Sequence, residues 1–213
     1  MDFTGSEDRE DYGHFALLAF LDEQVWSARE RSGHWLAAVW GAVRAGKTGL
    51  GPWSALNSEL KNDGGLSGLF LRYVKEAAFP LKDNGLLAQL HKTFGPPAAA
   101  TLARGEGKKI FALGPMAAQL LTCQINRRTN GGIVKIVDHR GRVDTTVLAF
   151  RVNEQRRIRR GIPQEVPRAQ SLGKTKVWEI PIEKDGSEAT EYVLAVCQPN
   201  HVGRSVVFTA EWQ

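Results

Sequence analysis

The chain has 213 residues, of which 42% are apolar, a share that is typical of a folded globular protein with a substantial core. No stretch approaches the roughly eighteen consecutive apolar residues of a transmembrane helix. The first residues, MDFTGSEDREDYG, are acidic where a secretory signal is basic and then apolar. These features argue against a membrane protein and predict a cytoplasmic location.

The formal net charge of +5 is distributed unevenly along the chain. Residues 1–100 contain ten Lys or Arg against twelve Asp or Glu, whereas residues 101–213 contain eighteen against eleven. Between Arg127 and Arg168 alone there are eleven basic and four acidic residues. Such a concentration favours a polyanionic partner such as nucleic acid, because neutralised phosphates release their condensed counterions.

The first hundred residues predict a mainly helical region. From His14 to Arg31 apolar residues recur at intervals of three and four, which is the pattern of an amphipathic helix. Pro52 suits the first turn of a later helix, and β-branched residues are scarce throughout. Further helices are therefore predicted at 34–44, 53–61, 66–78 and 86–94.

The pattern changes after residue 95. Residues 96–107 are rich in Gly, Pro and Ala without an apolar period, so we interpret them as a linker or loop between a mainly helical region, 1–95, and a β-rich basic region, 108–213. One more helix is predicted at 115–126. Strands are predicted at 131–137 and 143–152, joined as a hairpin, and at 176–182, 191–198 and 205–212. The sequence therefore predicts an α+β protein whose helical N-terminal half precedes a largely antiparallel β-sheet in the C-terminal half.

The stretch Gly41 to Thr48, GAVRAGKT, fits the letter pattern of a phosphate-binding P-loop. In a true P-loop a strand delivers the glycine-rich turn, and the helix that begins at the Lys-Thr pair points its N-terminus at the phosphates. Here the preceding residues favour a helix, and the following GLGP cannot form the first turns of one. Ile133 to Asp138, IVKIVD, is a weak match to the strand and metal-binding acid that such proteins also need. We interpret the stretch as an inter-helix loop that binds no nucleotide.

Metal and disulfide chemistry are not indicated. None of the five histidines lies at a spacing that would put two of them on one helix face. Cys123 and Cys197 have no CxxC partner, which leaves two buried free thiols, or one bridge between them, as alternatives. We therefore predict no metal and no cofactor.

Arginines supply the main candidate site. The run QRRIRRG at 155–161 is either a solvated loop or a phosphate-binding element, and the guanidinium fork can bind phosphate oxygens in pairs. Its basic residues are Arg156, Arg157, Arg159 and Arg160. The further candidate nucleic-acid-binding residues are Arg127, Arg128, Arg140 and Arg142.

Two histidines raise an enzymatic alternative. His139 and His201 occupy loops between predicted strands and lie close to arginines in the sequence. In a metal-independent ribonuclease, imidazoles transfer protons and cationic side chains hold the phosphate. The candidate catalytic residues of such a toxin-like enzyme are His139, His201 and Arg204.

The leading hypothesis is a nucleic-acid-binding protein whose arginine-rich C-terminal half contacts RNA slightly in preference to duplex DNA, because no helix-turn-helix carries the basic cluster. The alternatives are the ribonuclease and a non-enzymatic inhibitor or subunit of a nucleoprotein machine. In the last case tryptophans of the helical half would form a protein-binding surface instead of only packing the core. These are Trp26, Trp35, Trp40 and Trp53.

Overall fold

The computed structural model describes residues 16–26, 37, 40–41, 43–44, 52–78, 85–94, 98–125, 131–140, 145–153, 164–165, 175–183, 190–201 and 203–213. The chain forms two compact units, one from residues 3–96 and the other mainly from residues 97–213. Helices make up the first unit and strands the second, so the predicted α+β fold is confirmed.

The described helices of the first unit coincide with the predicted segments. Helix α1 covers residues 16–21 and continues as a π-helical turn at Asp22–Trp26. Helix α2 comprises the helical residues Ala37, Trp40, Gly41, Val43 and Arg44. The others are α3 (Pro52–Glu59), a 3-10 turn at Lys61–Asp63, α4 (Gly65–Ala78) and α5 (Leu86–Phe94).

Helix α4 shows why these segments are helical. Its buried side chains recur at intervals of three and four residues and so form one continuous apolar face. They are Leu66, Leu69, Phe70, Tyr73, Val74 and Ala77. The ring of Tyr73 lies 5.6 Å from that of Phe20, which packs α1 against this face. At the start of α4, the side-chain oxygen of Asn57 accepts a hydrogen bond from the Leu66 N–H at 2.9 Å and satisfies a donor that the helix itself leaves unpaired.

Two sheets form the second unit. The described strands are β1 (Ala99–Thr101), β2 (Lys109–Leu113), β3 (Ala117–Ile125), β4 (Gly132–Asp138), β5 (Thr146–Asn153), β6 (Gln164–Glu165), β7 (Lys176–Ile182), β8 (Thr190–Gln198) and β9 (Val206–Trp212). The five-stranded sheet has the order β1-β3-β8-β5-β6, and the four-stranded sheet has the order β2-β9-β4-β7. Among the described strands, β1 pairs with β3 in parallel and every other pair is antiparallel.

The sheets pack face to face as a β-sandwich. A continuous apolar cluster joins the inner face of the five-stranded sheet, represented by Leu121 and Leu194, to that of the four-stranded sheet, represented by Ile136 and Phe208. The ring of Phe208 also stacks on that of Phe111 at 5.7 Å, which extends the cluster to strand β2. Burial of these side chains supplies the main driving force for bringing the sheets together.

The outer faces of the two sheets differ. In the five-stranded sheet most outward residues of the central strands are buried as well, among them Leu120, Phe150 and Ala195, whereas Gln124 and the edge strand β1 reach solvent. In the four-stranded sheet Ile133 is 46% exposed, and Lys135 alternates with buried neighbours along β4. Strands of the first sheet therefore read as nearly continuous apolar runs, whereas strands of the second alternate between apolar and exposed positions.

Two predictions for this unit were wrong. Residues 117–125 form β3, not a helix, because all nine pair with β8, and tertiary pairing overrides the helical propensity of Ala, Leu and Gln. Strands β4 and β5 do not form a hairpin, since β4 pairs with β7 and β9 whereas β5 pairs with β6 and β8. Strands β1, β2 and β6 were not predicted, and β1 lies within the segment interpreted as a linker or loop.

Candidate nucleic-acid interface

One end of the sandwich, here called the His139 end, gathers connections that cross between the sheets. Residues 114–116, 139–145 and 199–205 each link a strand of one sheet to a strand of the other. The strand ends that meet here are Leu113, Ala117, Asp138, Thr146, Lys176, Gln198 and Val206. A backbone hydrogen bond of 3.0 Å from the N–H of Met116 to the carbonyl of Asn200 ties two of the connections together.

The buried carboxylate of Asp138 organises the connection that follows β4. One oxygen accepts the N–H of Arg140 at 2.8 Å, and the other accepts the hydroxyl of Thr145 at 2.7 Å. The ammonium group of Lys176 donates to the Thr145 carbonyl and lies 5.1 Å from the ring centroid of Trp178. Asp138 therefore shapes this loop, and both of its oxygens are engaged, unlike the acid of a nucleotide-binding strand, which must face a metal.

The three candidate catalytic residues all lie at the His139 end, but their described contacts point in different directions. Nε2 of His139 lies 3.2 Å from the hydroxyl of Thr209, on the outer face of the four-stranded sheet. Nδ1 of His201 is buried without a hydrogen-bond partner among the described residues. The side chain of Arg204 is exposed, and its carbonyl accepts a hydrogen bond from Gln198 at 3.1 Å. The fold brings the two imidazoles to one end without joining them in a described contact.

The opposite end, here called the Arg104 end, gathers other connections. Strand β1 ends here and β2 begins here, and the N–H of Gly105 donates to the Trp212 carbonyl at 3.1 Å. Arg104 and Lys108 are exposed in this connection, and so is the carboxylate of Glu106. Sequence reasoning missed this basic pair because a composition rich in Gly and Ala hid the short strand β1.

The candidate arginines are divided between the two ends. Arg140 is exposed at the His139 end, in the connection whose Arg142 lies outside the described residues. Six more also fall outside the described part of the chain: Arg127, Arg128, Arg156, Arg157, Arg159 and Arg160. Their flanking strands are described, however, and both β3 and β5 finish at the Arg104 end.

The last residues of β3 and β5 lie in one row across the five-stranded sheet. Ile125 and Asn153 are both opposite Thr190 of the intervening strand β8. Adjacent strands are about 4.8 Å apart, so these two residues are separated by about 10 Å. In sequence, Arg127 and Arg128 follow Ile125 by two and three residues, and the four arginines of 156–160 follow Asn153 by three to seven residues.

Both cysteines are free thiols on opposite faces of the same sheet. Cys123 points into the sandwich core, whereas Cys197 alternates with the inward residues Val196 and Gln198 and faces outward. Burial raises the pKa of the Cys123 thiol from its ordinary 9.0 to about 12, with a further contribution from the charge of Glu191. At neutral pH this thiol is fully protonated and therefore a poor nucleophile.

The P-loop pattern begins inside a helix. Ala37 and Trp40, which precede it, are helical as predicted, and so are Gly41, Val43 and Arg44 of the pattern, whereas residues 45–48 lie outside the described part of the chain. A strand does not deliver this glycine, so the geometry of a phosphate-binding loop is missing at its first position.

Within the described ranges, no three His, Cys, Asp or Glu side chains are grouped so that they could hold a metal ion. The helices in these ranges are also too short or too polar to cross a bilayer.

Comparisons with known proteins leave the chain unassigned. No family model matches it, and no curated protein sequence matches it. Among solved structures, it is similar to the pre-peptidase C-terminal domain of a collagenase from Bacillus anthracis, with a TM-score of 0.37 and 10% sequence identity over 55% of this chain and 97% of that domain. A similarity of that size assigns neither a family nor a function.

Proposed function

We propose that the chain binds nucleic acid through basic residues at the Arg104 end, with RNA slightly preferred over duplex DNA. The observation that carries the proposal is the row formed by Ile125, Thr190 and Asn153. Because β3 and β5 stop about 10 Å apart, two arginine-rich segments of the sequence start from neighbouring points of one surface. Phosphates of one strand repeat about every 3.4 Å along a helix axis, so a backbone that spans the distance of about 10 Å presents phosphates to both segments.

Charge at this end supports the proposal. The segments 102–108, 126–131 and 154–163 together contain eight Lys or Arg and two acidic residues. The fourth connection, 183–189, is acidic, with three carboxylates and one lysine. The excess of basic over acidic residues is thus found in the segments that adjoin β3 and β5 in the sequence. This favours binding of the phosphate backbone along one path over equal attraction across the whole end.

The preference for RNA follows from the elements that carry the charge. Arg104 and Lys108 lie in the connection between β1 and β2, and the six arginines follow β3 and β5 in the sequence, whereas major-groove recognition in duplex DNA most often uses a helix inserted into the groove. Loops beside a sheet are typical of proteins that contact single strands or the irregular parts of folded RNA.

A matched pair of variants tests the proposal. Replacing Arg156, Arg157, Arg159 and Arg160 with Ala removes four positive charges from the segment that follows β5 in the sequence. The control removes four from the helical unit by replacing Lys61, Arg72, Lys75 and Lys92 with Ala. Affinity for single-stranded RNA should fall only in the first variant, and the slope of log K against log salt should flatten by about 0.7 for each phosphate that is no longer bound.

Equal affinities and slopes for wild type and both variants would remove the basic-end proposal. A protein that binds no nucleic acid at low salt would favour the interaction-protein alternative instead. Purification from cells offers an earlier indication, because a high ratio of absorbance at 260 nm to that at 280 nm, lost after a high-salt wash, is expected of the wild type.

A ribonuclease is a second candidate, favoured by the position of His139, His201 and Arg204 at the same end of the sandwich. In this candidate one imidazole removes the proton of a ribose 2′-hydroxyl and the other protonates the leaving oxygen. Purified protein would then cleave single-stranded RNA in EDTA, would spare DNA, and would lose about a hundredfold in rate on His139→Ala or His201→Ala. If RNA stays intact in EDTA, the ribonuclease candidate is wrong and only the binding proposal remains.

A further inference from the structure

The helical unit carries a large aromatic side chain that its own core does not use. Trp40 of α2 is 54% exposed, whereas Phe20, Phe70 and Tyr73 of the same unit are almost completely buried. Tryptophan is among the residues that contribute most when a surface is covered by a partner. The half-exposed indole of Trp40 is therefore a candidate contact for a ligand on the surface of this unit.

Trp40 lines an open cleft of about 480 Å³ together with Ala37, Gly41 and Arg44. The four residues are spaced i, i+3, i+4 and i+7, so they share one face of α2. Small residues beside the indole leave its ring accessible, and a Cβ added at Gly41 would meet no neighbouring atom within 4 Å. The cleft thus presents an aromatic plane with free space beside it.

Arg44 gives the cleft a positive charge. Its side chain is exposed, and no carboxylate lies among the four described residues of the cleft. A planar aromatic ring with a guanidinium group one helical turn away matches a ligand that combines a flat base with a phosphate.

We propose that this cleft holds one unpaired base of a single-stranded nucleic acid, with the base stacked on Trp40 and a flanking phosphate bound by Arg44. The inference rests on the proposed nucleic-acid binding and adds a contact that distinguishes single strands from duplexes. A base inside a duplex has both faces covered by its neighbours, so it is not available to the indole. Phosphate contacts at the Arg104 end lack this distinction, because phosphates are exposed in either form.

Charge argues for this occupant over a second protein helix. Ala37 and Gly41 are small enough to let another helix approach, but such a partner would have to cover Arg44 with a carboxylate or leave the cation desolvated. A nucleic acid supplies the counter-charge with every nucleotide.

Gly41→Leu is the most direct test, because it fills the cleft while the structure provides room for the side chain and leucine is a better helix former than glycine. Gly68→Leu is the matched control, since Gly68 lies in α4 of the same unit and an added Cβ there also meets nothing within 4 Å. Binding of a short labelled single-stranded RNA should weaken about five- to hundredfold in Gly41→Leu and Trp40→Ala, the equivalent of about 1–3 kcal/mol for one stacked base. Gly68→Leu and Trp40→Phe should bind nearly as wild type.

A second ligand separates stacking from charge. An abasic oligomer of the same length keeps the phosphates and lacks the bases, so wild type should bind it as weakly as Trp40→Ala binds the RNA. Arg44→Ala should weaken both ligands and lower the salt slope by about 0.7.

The outcomes are distinguishable from failure of the proposed function. If Gly41→Leu and Trp40→Ala bind RNA like wild type while the arginine variant of the Arg104 end is impaired, the cleft inference is wrong and the proposed function stands. If wild type binds neither RNA nor the abasic oligomer, both are wrong. The wild type and the two cleft variants can also be compared by analytical ultracentrifugation in the absence of nucleic acid. If the variants have the lower molar mass, this face binds a second copy of the chain and the inference is overturned.

Discussion

The two sheets of the sandwich share one core but differ in their second faces. Outward positions on the central strands of the five-stranded sheet, such as Leu120 and Ala195, are as inaccessible as the inward ones, and solvent reaches this face only at positions such as Gln124 and along β1 among the described strands. Outward positions of the four-stranded sheet carry a lysine, two glutamates and a partly exposed isoleucine. The central strands of the first sheet are therefore constrained on both faces, whereas strands of the second sheet are constrained mainly on one face.

This difference predicts where the chain tolerates change. In a strand buried on both faces, a polar side chain cannot reach solvent. The free-energy cost of burying its polar group therefore applies at inward and outward positions alike. In a strand with one open face, half of the positions can take polar side chains at little cost. Substitutions and pH can test the contrast, beginning with the change for which the largest effect is expected.

Leu120→Asp and Ile133→Asp place the same carboxylate on the outward face of each sheet. Leu120→Asp should lower the free energy of unfolding by about 3–5 kcal/mol or prevent folding, because an unpaired charge would be buried. Ile133→Asp should change it by less than about 1 kcal/mol, since that side chain already reaches water. Urea unfolding followed by circular dichroism measures both, and similar losses in the two variants would contradict the contrast.

Asp138→Ala sharpens the contrast by showing that one polar residue of the four-stranded sheet is constrained. Removing its carboxylate leaves the Arg140 N–H and the Thr145 hydroxyl without their acceptor. A loss of about 2 kcal/mol in unfolding free energy is expected. Thr145→Val removes one of the two hydrogen bonds and should cost less. No loss in either variant would show that the connection is held by other contacts.

The pH dependence of stability should reveal Cys123 in the five-stranded sheet. Its pKa is raised from 9.0 to about 12 in the folded chain, so the unfolded chain releases the thiol proton first as the pH rises. The stabilising effect of the protonated thiol is complete below pH 9 and is lost progressively above it. From pH 8 to pH 10 the unfolding free energy should fall by about 1 kcal/mol on this account. Cys123→Ala should flatten that fall, and an unchanged slope would contradict the assignment.

The smallest effect is expected for the ion pair on the open face of the four-stranded sheet. Nζ of Lys135 lies 3.9 Å from the carboxylate of Glu179, and both side chains are about half exposed. Glu179→Ala should change the unfolding free energy by at most about 0.5 kcal/mol, with the difference vanishing at high salt. A larger loss of unfolding free energy that persists at high salt would mean that this ion pair is shielded from solvent, contrary to the exposure of its two side chains.

Strands of both sheets were predicted from the sequence. The segments 143–152 and 191–198 coincide with β5 and β8 of the five-stranded sheet, and those at 131–137, 176–182 and 205–212 coincide with β4, β7 and β9 of the four-stranded sheet. In β3, AAQLLTCQI, apolar and polar residues occur on both faces, so no two-residue period exists and the helix-favouring composition dominated the interpretation. The hairpin was misassigned for another reason. A short connection shows only that two consecutive strands have adjacent ends. It does not determine whether they pair in one sheet as a hairpin or belong to different sheets.

The candidate site was less predictable than the fold. Arginine-rich stretches and the loop histidines are visible in the sequence, but the division of basic residues between two ends depends on strand order. That order follows from pairings such as β2 with β9 and β3 with β8, which join distant parts of the chain. Trp40 was visible as one of four helical tryptophans, whereas its exposure depends on which helix face the core covers.

The strand order also affects how the chain is synthesised. Strand β8 pairs with β3 and β5, and β9 pairs with β2 and β4, so each of these two strands follows all of its partners in the sequence. On a ribosome, β1 through β7 would emerge before β8 joins β3 to β5 and before β9 joins β2 to β4, so completion of both sheets would wait for long-range pairing. During that interval the apolar runs of β3 and β5 remain uncovered and prone to associate with other nascent chains. The yield of folded protein should therefore respond to translation speed and to chaperones that shield unpaired strands, and less to the stability that the finished sandwich reaches.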